Sequence, residues 1–126
     1  MIETFTIERA AAIEDAEGGY QQLIPWSRQV GEPPIGAMAC FLGPGQASLP
    51  DRHDQDEVVI VLTGLAEVRL DHDVARLSDG QMAVLPRNLT HVVTNAACDR
   101  ELVWVSLYWP LHEPGDEPGD EAASDG

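Results

Sequence analysis

Apolar and polar residues alternate along most of this chain with a period of two, in short runs cut by turns. Ile2 to Ile7 is the first run. Tyr20 to Ile24 is the second, stopped by Pro25. Pro33-Pro34 leads into Ile35 to Leu42, and Gly43-Pro44-Gly45 ends it sharply. Glu57 to Leu62 is dense in Val and Ile and breaks at Gly64. Leu65 to Leu70 follows and closes at Asp71-His72-Asp73. Val74 to Leu77, Met82 to Leu85, His91 to Thr94 and Arg100 to Trp109 complete the series, the last being the longest. Only Glu8 to Glu17 reads as helical, with Gly18-Gly19 to stop it. Short strands with a turn every 8 to 12 residues or so predict an all-β sandwich or barrel. A helix-alternating α/β fold does not fit, because the helical segments are missing.

Parity sharpens the picture around Gly45 to Gly64. On an extended chain, residues of one parity face one side. Asp51, His53, Glu57, Val59 and Val61 therefore share a face, which is predicted to point inward. Val58, Ile60 and Leu62 form the other face and are also apolar. That pattern predicts a strand buried on both sides. From Gly80 to Asn95, a strand runs into a turn containing Pro86, and the next strand opens with His91. Such a turn can carry one imidazole back toward a partner strand.

The length, 126 residues, is that of one domain. The stretch from His112 to Gly126 differs from the rest. It holds two copies of Glu-Pro-Gly-Asp, carries six of the 22 acids and has no Arg. Such a composition cannot bury enough apolar surface to offset ordering entropy. Residues 1–111 are thus predicted to form the folded domain, and 112–126 a flexible acidic tail or a linker to a separate or fused module. Without the tail, 16 acids face seven Arg, a net of −9 out of the whole chain's −15. A body this acidic lacks the basic face that a phosphate backbone or an anionic membrane requires. Nucleic acid and membrane are discounted as partners, and a small molecule is the expected ligand. All seven basic residues are Arg; with no Lys there is no Schiff base and no lysine base. Cys40 and Cys98 are read as reduced thiols, although spacing alone leaves a disulfide open. The N-terminus has no basic region followed by an apolar run, and no apolar stretch is long enough to span a bilayer, so the expected location is the cytoplasm.

The two stretches resemble the paired motifs of the cupin superfamily. The first family motif is Gly, five residues, His, any residue, His, three or four residues, Glu, six residues, Gly. Gly45, His53, Glu57 and Gly64 fall on matching positions, and Asp51 stands where the first His is expected. The second is Gly, five residues, Pro, any residue, Gly, two residues, His, three residues, Asn. Gly80, Pro86, His91 and Asn95 match, and Asn88 replaces the middle Gly. Asn tolerates positive φ better than most residues, so the turn is kept.

This resemblance implies a jelly-roll β-barrel with one divalent metal inside, held by Asp51, His53, Glu57 and His91. Two arrangements stay open. Either Asp51 is a ligand, giving two imidazoles and two carboxylates, or it points away and His53, Glu57 and His91 form a facial set with open positions. Zn, Fe and Mn all remain candidates, and oxygen-rich ligation leans away from zinc. The implied activity is a metal-dependent enzyme acting on a small polar metabolite, with Glu57 or Asp51 moving a proton. The alternatives are an Fe(II)-dependent dioxygenase, a zinc-dependent polyketide cyclase or isomerase, and a non-catalytic binding cupin. Trp26, Arg52, Trp104 and Tyr108 are candidate substrate contacts, weighed against a core or surface role for each. Many cupins dimerise by strand exchange, and Ile2 to Ile7 is a strand available for this, so a homodimer is expected. The run QLIPW at Gln22 to Trp26, PPIG at Pro33 to Gly36 and LGPG before the first motif are also similar to small cupins of bacterial natural-product pathways. In particular they are similar to the cupin portion of hydrazine synthetases, which implies N–N bond formation between two amino acids.

Overall fold

The computed structural model describes residues 2–15, 18–24 and 29–111. Nine strands account for nearly all of its regular structure: β1 (Ile13–Asp15), β2 (Gly18–Gln22), β3 (Gly36–Leu42), β4 (Asp56–Thr63), β5 (Ala66–Leu70), β6 (Asp73–Leu77), β7 (Met82–Leu85), β8 (His91–Asn95) and β9 (Leu102–Trp109). One sheet has six strands in the order β1-β2-β3-β9-β4-β7, and the other has three in the order β6-β5-β8. The recorded strand pairs are antiparallel. The expected all-β, cupin-type jelly roll is the observed architecture. No helix among the described residues is long and apolar enough to cross a membrane.

The core lies between the two sheets. Cys40 and Leu42 from β3, Val59 and Val61 from β4, and Leu102 and Trp104 from β9 meet Ala66, Val68, Leu77 and Val93 from the smaller sheet. Their alternation along each strand is the period of two seen in the sequence. Burying these apolar side chains supplies most of what holds the sheets face to face. Strand β9 is the spine of the large sheet, pairing with β3 from Gly36↔Tyr108 to Leu42↔Leu102 and with β4 from Asp56↔Trp109 onward. A bulge between Val61 and Thr63 bends β4 at its end. Gly64 follows with φ +112, packed so tightly that a Cβ would sit 2.9 Å from the Glu101 carbonyl oxygen. Only glycine satisfies both constraints.

The sheets are stitched along one side. Residues 46–51 run beside β8, through bridges Ala47↔Thr94 and Asp51↔His91. Ser48 N donates to the Val93 carbonyl at 2.8 Å and Asn95 N to the Gln46 carbonyl at 2.8 Å. At the end of β8 the Asn95 side chain is almost fully buried, with 1% exposed. Its Nδ2 lies 3.1, 3.0 and 2.9 Å from the carbonyl oxygens of Leu42, Gly43 and Arg100, and its Oδ1 accepts from Ala97 N at 3.0 Å. The motif's Asn is therefore a clamp joining the end of β3 to the β8–β9 loop.

Three local expectations differ from the structure. Ile2 to Ile7 forms no strand: the segment is exposed, with Ile2 at 89% and Phe5 at 67%. Of Glu8 to Glu17, the described residues, through Asp15, are not helical beyond a three-residue 3-10 turn, Arg9–Ala11. Arg9 is held by Glu14 at 2.9 Å and Glu101 at 2.6 Å, and Ile13–Asp15 pairs with β2. A single short helix with no packed face cannot compete with those ties. The second face of β4 is not buried either: Val58 and Ile60 are half-buried and Leu62 is 43% exposed. No second layer covers that side of the large sheet among the described residues. Cys40 is buried and Cys98 exposed, and both are thiols.

The clamp is testable. Asn95→Ala removes the donor for three carbonyls and should destabilise the fold by about 2–4 kcal/mol. Urea unfolding measures it, and an unchanged midpoint would show that Asn95 does not tie these segments together.

Candidate metal centre

Four side chains converge at one end of the space between the sheets, and the backbone explains why. Asp51 and His91 are directly paired: Asp51 N donates to the His91 carbonyl at 3.0 Å, and His91 N donates back to the Asp51 carbonyl at 2.8 Å. Residues exchanging both hydrogen bonds project their side chains to the same face. His53 lies two residues further on and so returns to that face. Its carbonyl accepts from Asn88 N at 2.9 Å, and Asn88 has φ +66, which is how the second motif's turn folds back over the first. Glu57 arrives separately, from the start of β4, opposite Tyr108 on β9 and Leu85 on β7.

Glu57 Oε1 lies 3.5 Å from His53 Nε2 and 3.5 Å from His91 Nε2. Asp51 Oδ2 lies 3.8 Å from His53 Nε2. The imidazole rings meet edge to face, with centroids 5.4 Å apart at 79°. Ligand atoms of Asp51, His53 and His91 all fall within 4.8 Å of one another. Glu57 stands outside that compact set but touches both of its histidines. Donors about 2.1 Å from one ion lie roughly 3–3.5 Å from each other, so the Glu57–His53–His91 spacing fits a divalent cation and the Asp51 spacing is slightly long. His53 Nδ1 is buried, and the Gln55 backbone is the least of the influences that raise the ring's pKa.

The charges reinforce one another. The Glu57 carboxylate raises His53 above its ordinary value most strongly; burial opposes the shift and Asp51 adds to it. Burial is the largest single influence on Glu57 and pushes its carboxyl up. His53, His91 and Ser106 together outweigh it and hold Glu57 below the usual carboxylate range. A carboxylate kept charged between two imidazoles is a ready ligand for a cation.

The cluster opens into a chamber of about 340 Å³. Tyr20, Met38, Cys40, Val93, Trp104 and Tyr108 form its apolar and aromatic wall, and Asp15, Ser48 and Gln55 add polar groups. Tyr108 is half-buried, and burial pushes its phenol up against a hydrogen bond with Gln22 that lowers it. Its ring leans over Gly36, where any Cβ would clash with it. Gly36 thus lets Tyr108 lie over β3.

Of the substrate candidates, Trp104 and Tyr108 line the chamber. Arg52 does not: it is exposed, and its Nε donates to the Asn88 carbonyl at 2.9 Å. Arg87 plays a matching part from the other loop, pairing with Asp56 at 2.9 Å and Asp54 at 3.6 Å. Both arginines clamp the loops that carry the histidines. Trp26 lies outside the described residues. The sequence reading passed over Ser106, whose hydroxyl donates to Glu57 Oε2 at 2.7 Å. Its signal was available, since Ser106 is the one small hydroxyl on the inward parity of β9, between Trp104 and Tyr108.

The chain's residues 39–108 match the family model described as "Cupin domain". A conserved barrel domain protein of the Cupin 2 type from Salinispora arenicola has a similar structure, with TM-score 0.75 and 28% identity over 86% of this chain and 89% of that one. The plu4264 protein from Photorhabdus luminescens also gives TM-score 0.75, at 20% identity over 86% and 88% of the two chains. An RmlC-like cupin from Shewanella frigidimarina gives TM-score 0.66 at 19% identity, over 90% and 96%. Among curated proteins, none matches the chain.

Metal uptake at this cluster must be pH-dependent. A metal takes the neutral imidazole, and Glu57 favours the protonated one. Apparent affinity for Zn²⁺ should therefore be full well above the raised His53 value and decline as pH falls through it, starting above the ordinary 6.5. Competition titrations at several pH values measure this; affinity that holds constant down to about pH 5.5 would contradict it.

Proposed function

Because this chain belongs to the cupin family, we propose that it is a metal-dependent enzyme that gathers one divalent ion and acts on a small polar metabolite in the adjoining chamber. His53, His91 and Glu57 would hold the ion, with Asp51 as a fourth donor. The observation that carries this reading is the single carboxylate oxygen of Glu57, 3.5 Å from an Nε2 of each sequence motif, at the edge of the chamber. When bound, such an ion polarises the heteroatoms of a substrate that ligates it.

The residues divide the remaining work. Glu57 is buried and engaged on both oxygens, which suits a ligand. Asp51 has 42% of its side chain exposed and one loose imidazole contact, which suits a group that takes a proton from bound substrate and returns it. Trp104, Val93 and Met38 keep water from the inner wall, and the Tyr108 hydroxyl can orient a polar substrate atom. Two imidazoles with a carboxylate also make the ligand set of Fe(II) oxygenases, which favours a dioxygenase as the second reading. The resemblance to hydrazine synthetases would make the substrates two amino acids and the tail a dock for a second module. That finer reading rests on the sequence alone, and residues 112–126 lie outside the described ones.

Elemental analysis of the natively purified protein should give one divalent ion per chain, lost in His91→Ala with the fold retained by circular dichroism. A protein that stays metal-free after incubation with Zn²⁺, Fe²⁺ and Mn²⁺ in turn contradicts the proposal. Iron with oxygen uptake would select the dioxygenase.

A second copy of the chain is the proposed partner. Ile2 and Phe5 are exposed in the single chain, and β1 and β7 are open edges of the large sheet. Such edges pair readily with another strand. Light scattering at micromolar concentration should report a dimer, and a monomer there rules out the exchange.

A further inference from the structure

Glu57 reaches the histidines through only one of its oxygens. Oε1 lies 3.5 Å from both Nε2 atoms, while Oε2 faces the other way, 2.7 Å from Ser106 Oγ. Ser106 Oγ is in turn 3.0 Å from Trp104 Nε1. All three side chains are buried: Glu57 is 7% exposed, Trp104 5% and Ser106 1%. The strands dictate the arrangement. Trp104 and Ser106 are two apart on β9 and share its inward face, and Glu57 on β4 is diagonal to Ser106, across from Tyr108.

The chemistry of the donors fixes the direction of every proton in this chain. An indole N–H can only donate. Ser106 Oγ therefore accepts from Trp104, and its single proton is left for Glu57 Oε2. Were Oε2 itself protonated, Oγ would face two donors and its own hydrogen would be turned away from the acceptor it now uses. In a buried site that is costly. The relay thus satisfies Oε2 completely and removes it from the histidine side.

We propose that Trp104 and Ser106 are positioning residues, a fixed donor relay that locks Glu57 Oε2 and leaves Oε1 as the single oxygen offered to the ion shared with His53 and His91. The proposal rests on the metal-centre reading above and adds a consequence to it. A carboxylate with both oxygens available can chelate, filling one more coordination position. Holding back Oε2 keeps that position for a substrate atom entering from the chamber, whose wall includes Trp104 itself.

Two readouts test it, one with Co²⁺ alone and one without metal. Ser106→Ala releases Oε2. It should lower Co²⁺ affinity roughly 10- to 100-fold and reduce the visible band intensity, as expected when coordination number rises. Ser106→Thr keeps the hydroxyl and should restore both. Trp104→Phe keeps the ring but no longer directs the serine's proton, and should weaken binding less than Ser106→Ala. In the metal-free protein, the indole N–H cross-peak missing from Trp104→Phe in a ¹H–¹⁵N spectrum belongs to Trp104. It should move in both Ser106→Ala and Glu57→Gln. Wild-type Co²⁺ affinity and spectrum in Ser106→Ala would overturn the proposal, as would an indole signal unmoved in both variants. If the wild type takes up no Co²⁺, the metal-centre reading fails, and with it the relay's role at the ion; the indole signal then reports whether the relay exists as structure alone. If Ser106→Ala does not fold, the comparison of Ser106→Thr and Trp104→Phe with wild type decides in the same way.

Discussion

Two backbone hydrogen bonds between Asp51 and His91 hold this site together. They join the loop before β4 to the first residue of β8 and so bring the two sequence motifs into register. A slip of one residue would turn both side chains to the opposite face, because the side-chain period of an extended chain is two. With the pair in place, His53 returns to the same face and Asn88 closes over it. The clamps at Arg52, Arg87 and Asn95 then protect the bridge from outside and from its far end. The large sheet supplies the other half: β9 sets β4 beside it, and β4 delivers Glu57.

Electrostatics follow from that placement. A carboxylate as buried as Glu57 would ordinarily be pushed toward its neutral form. Here two imidazoles and a hydroxyl keep it charged, and it favours the proton on His53 in return. Removing one partner from such a set leaves a buried group uncompensated, which is why these side chains stand or fall together. The same arrangement, once its protons are displaced, presents two nitrogens and an oxygen to one point. Protein stability and cation binding thus draw on one cluster. Asp51, with 42% of its side chain exposed, is held more loosely, by a single imidazole contact at 3.8 Å.

Much of this was legible in the sequence, for identifiable reasons. Strand positions followed the alternation of Val, Ile and Leu with polar residues, and turns followed Gly and Pro, because both signals are local. His53, Glu57 and His91 could be grouped since their spacing lies within two recognisable stretches. Asn88 was expected to keep a positive φ and does, at +66. Other features depend on distant partners. Ser106 is 49 residues from Glu57: its place on the inward parity of β9 was legible, but the partner it meets was not. Asp51, His53 and Glu57 share parity as read, yet the strand begins only at Asp56, so the first two are placed by β8 and the third by β4. Alternation at Ile2 to Ile7 promised a strand, but among the described residues this segment pairs with no strand, and Ile2 and Phe5 stay exposed. For Val58, Ile60 and Leu62, apolar character did not guarantee cover, because sequence shows hydrophobicity and not what packs on it.

The central claim is that imidazoles from two separate motifs share one cation with Glu57. The most direct test is an anomalous difference map from a crystal grown with Zn²⁺. The account predicts one strong peak about 2.0–2.2 Å from Nε2 of His53, Nε2 of His91 and Oε1 of Glu57. A peak bound elsewhere, or none while the imidazoles turn toward solvent, would contradict it.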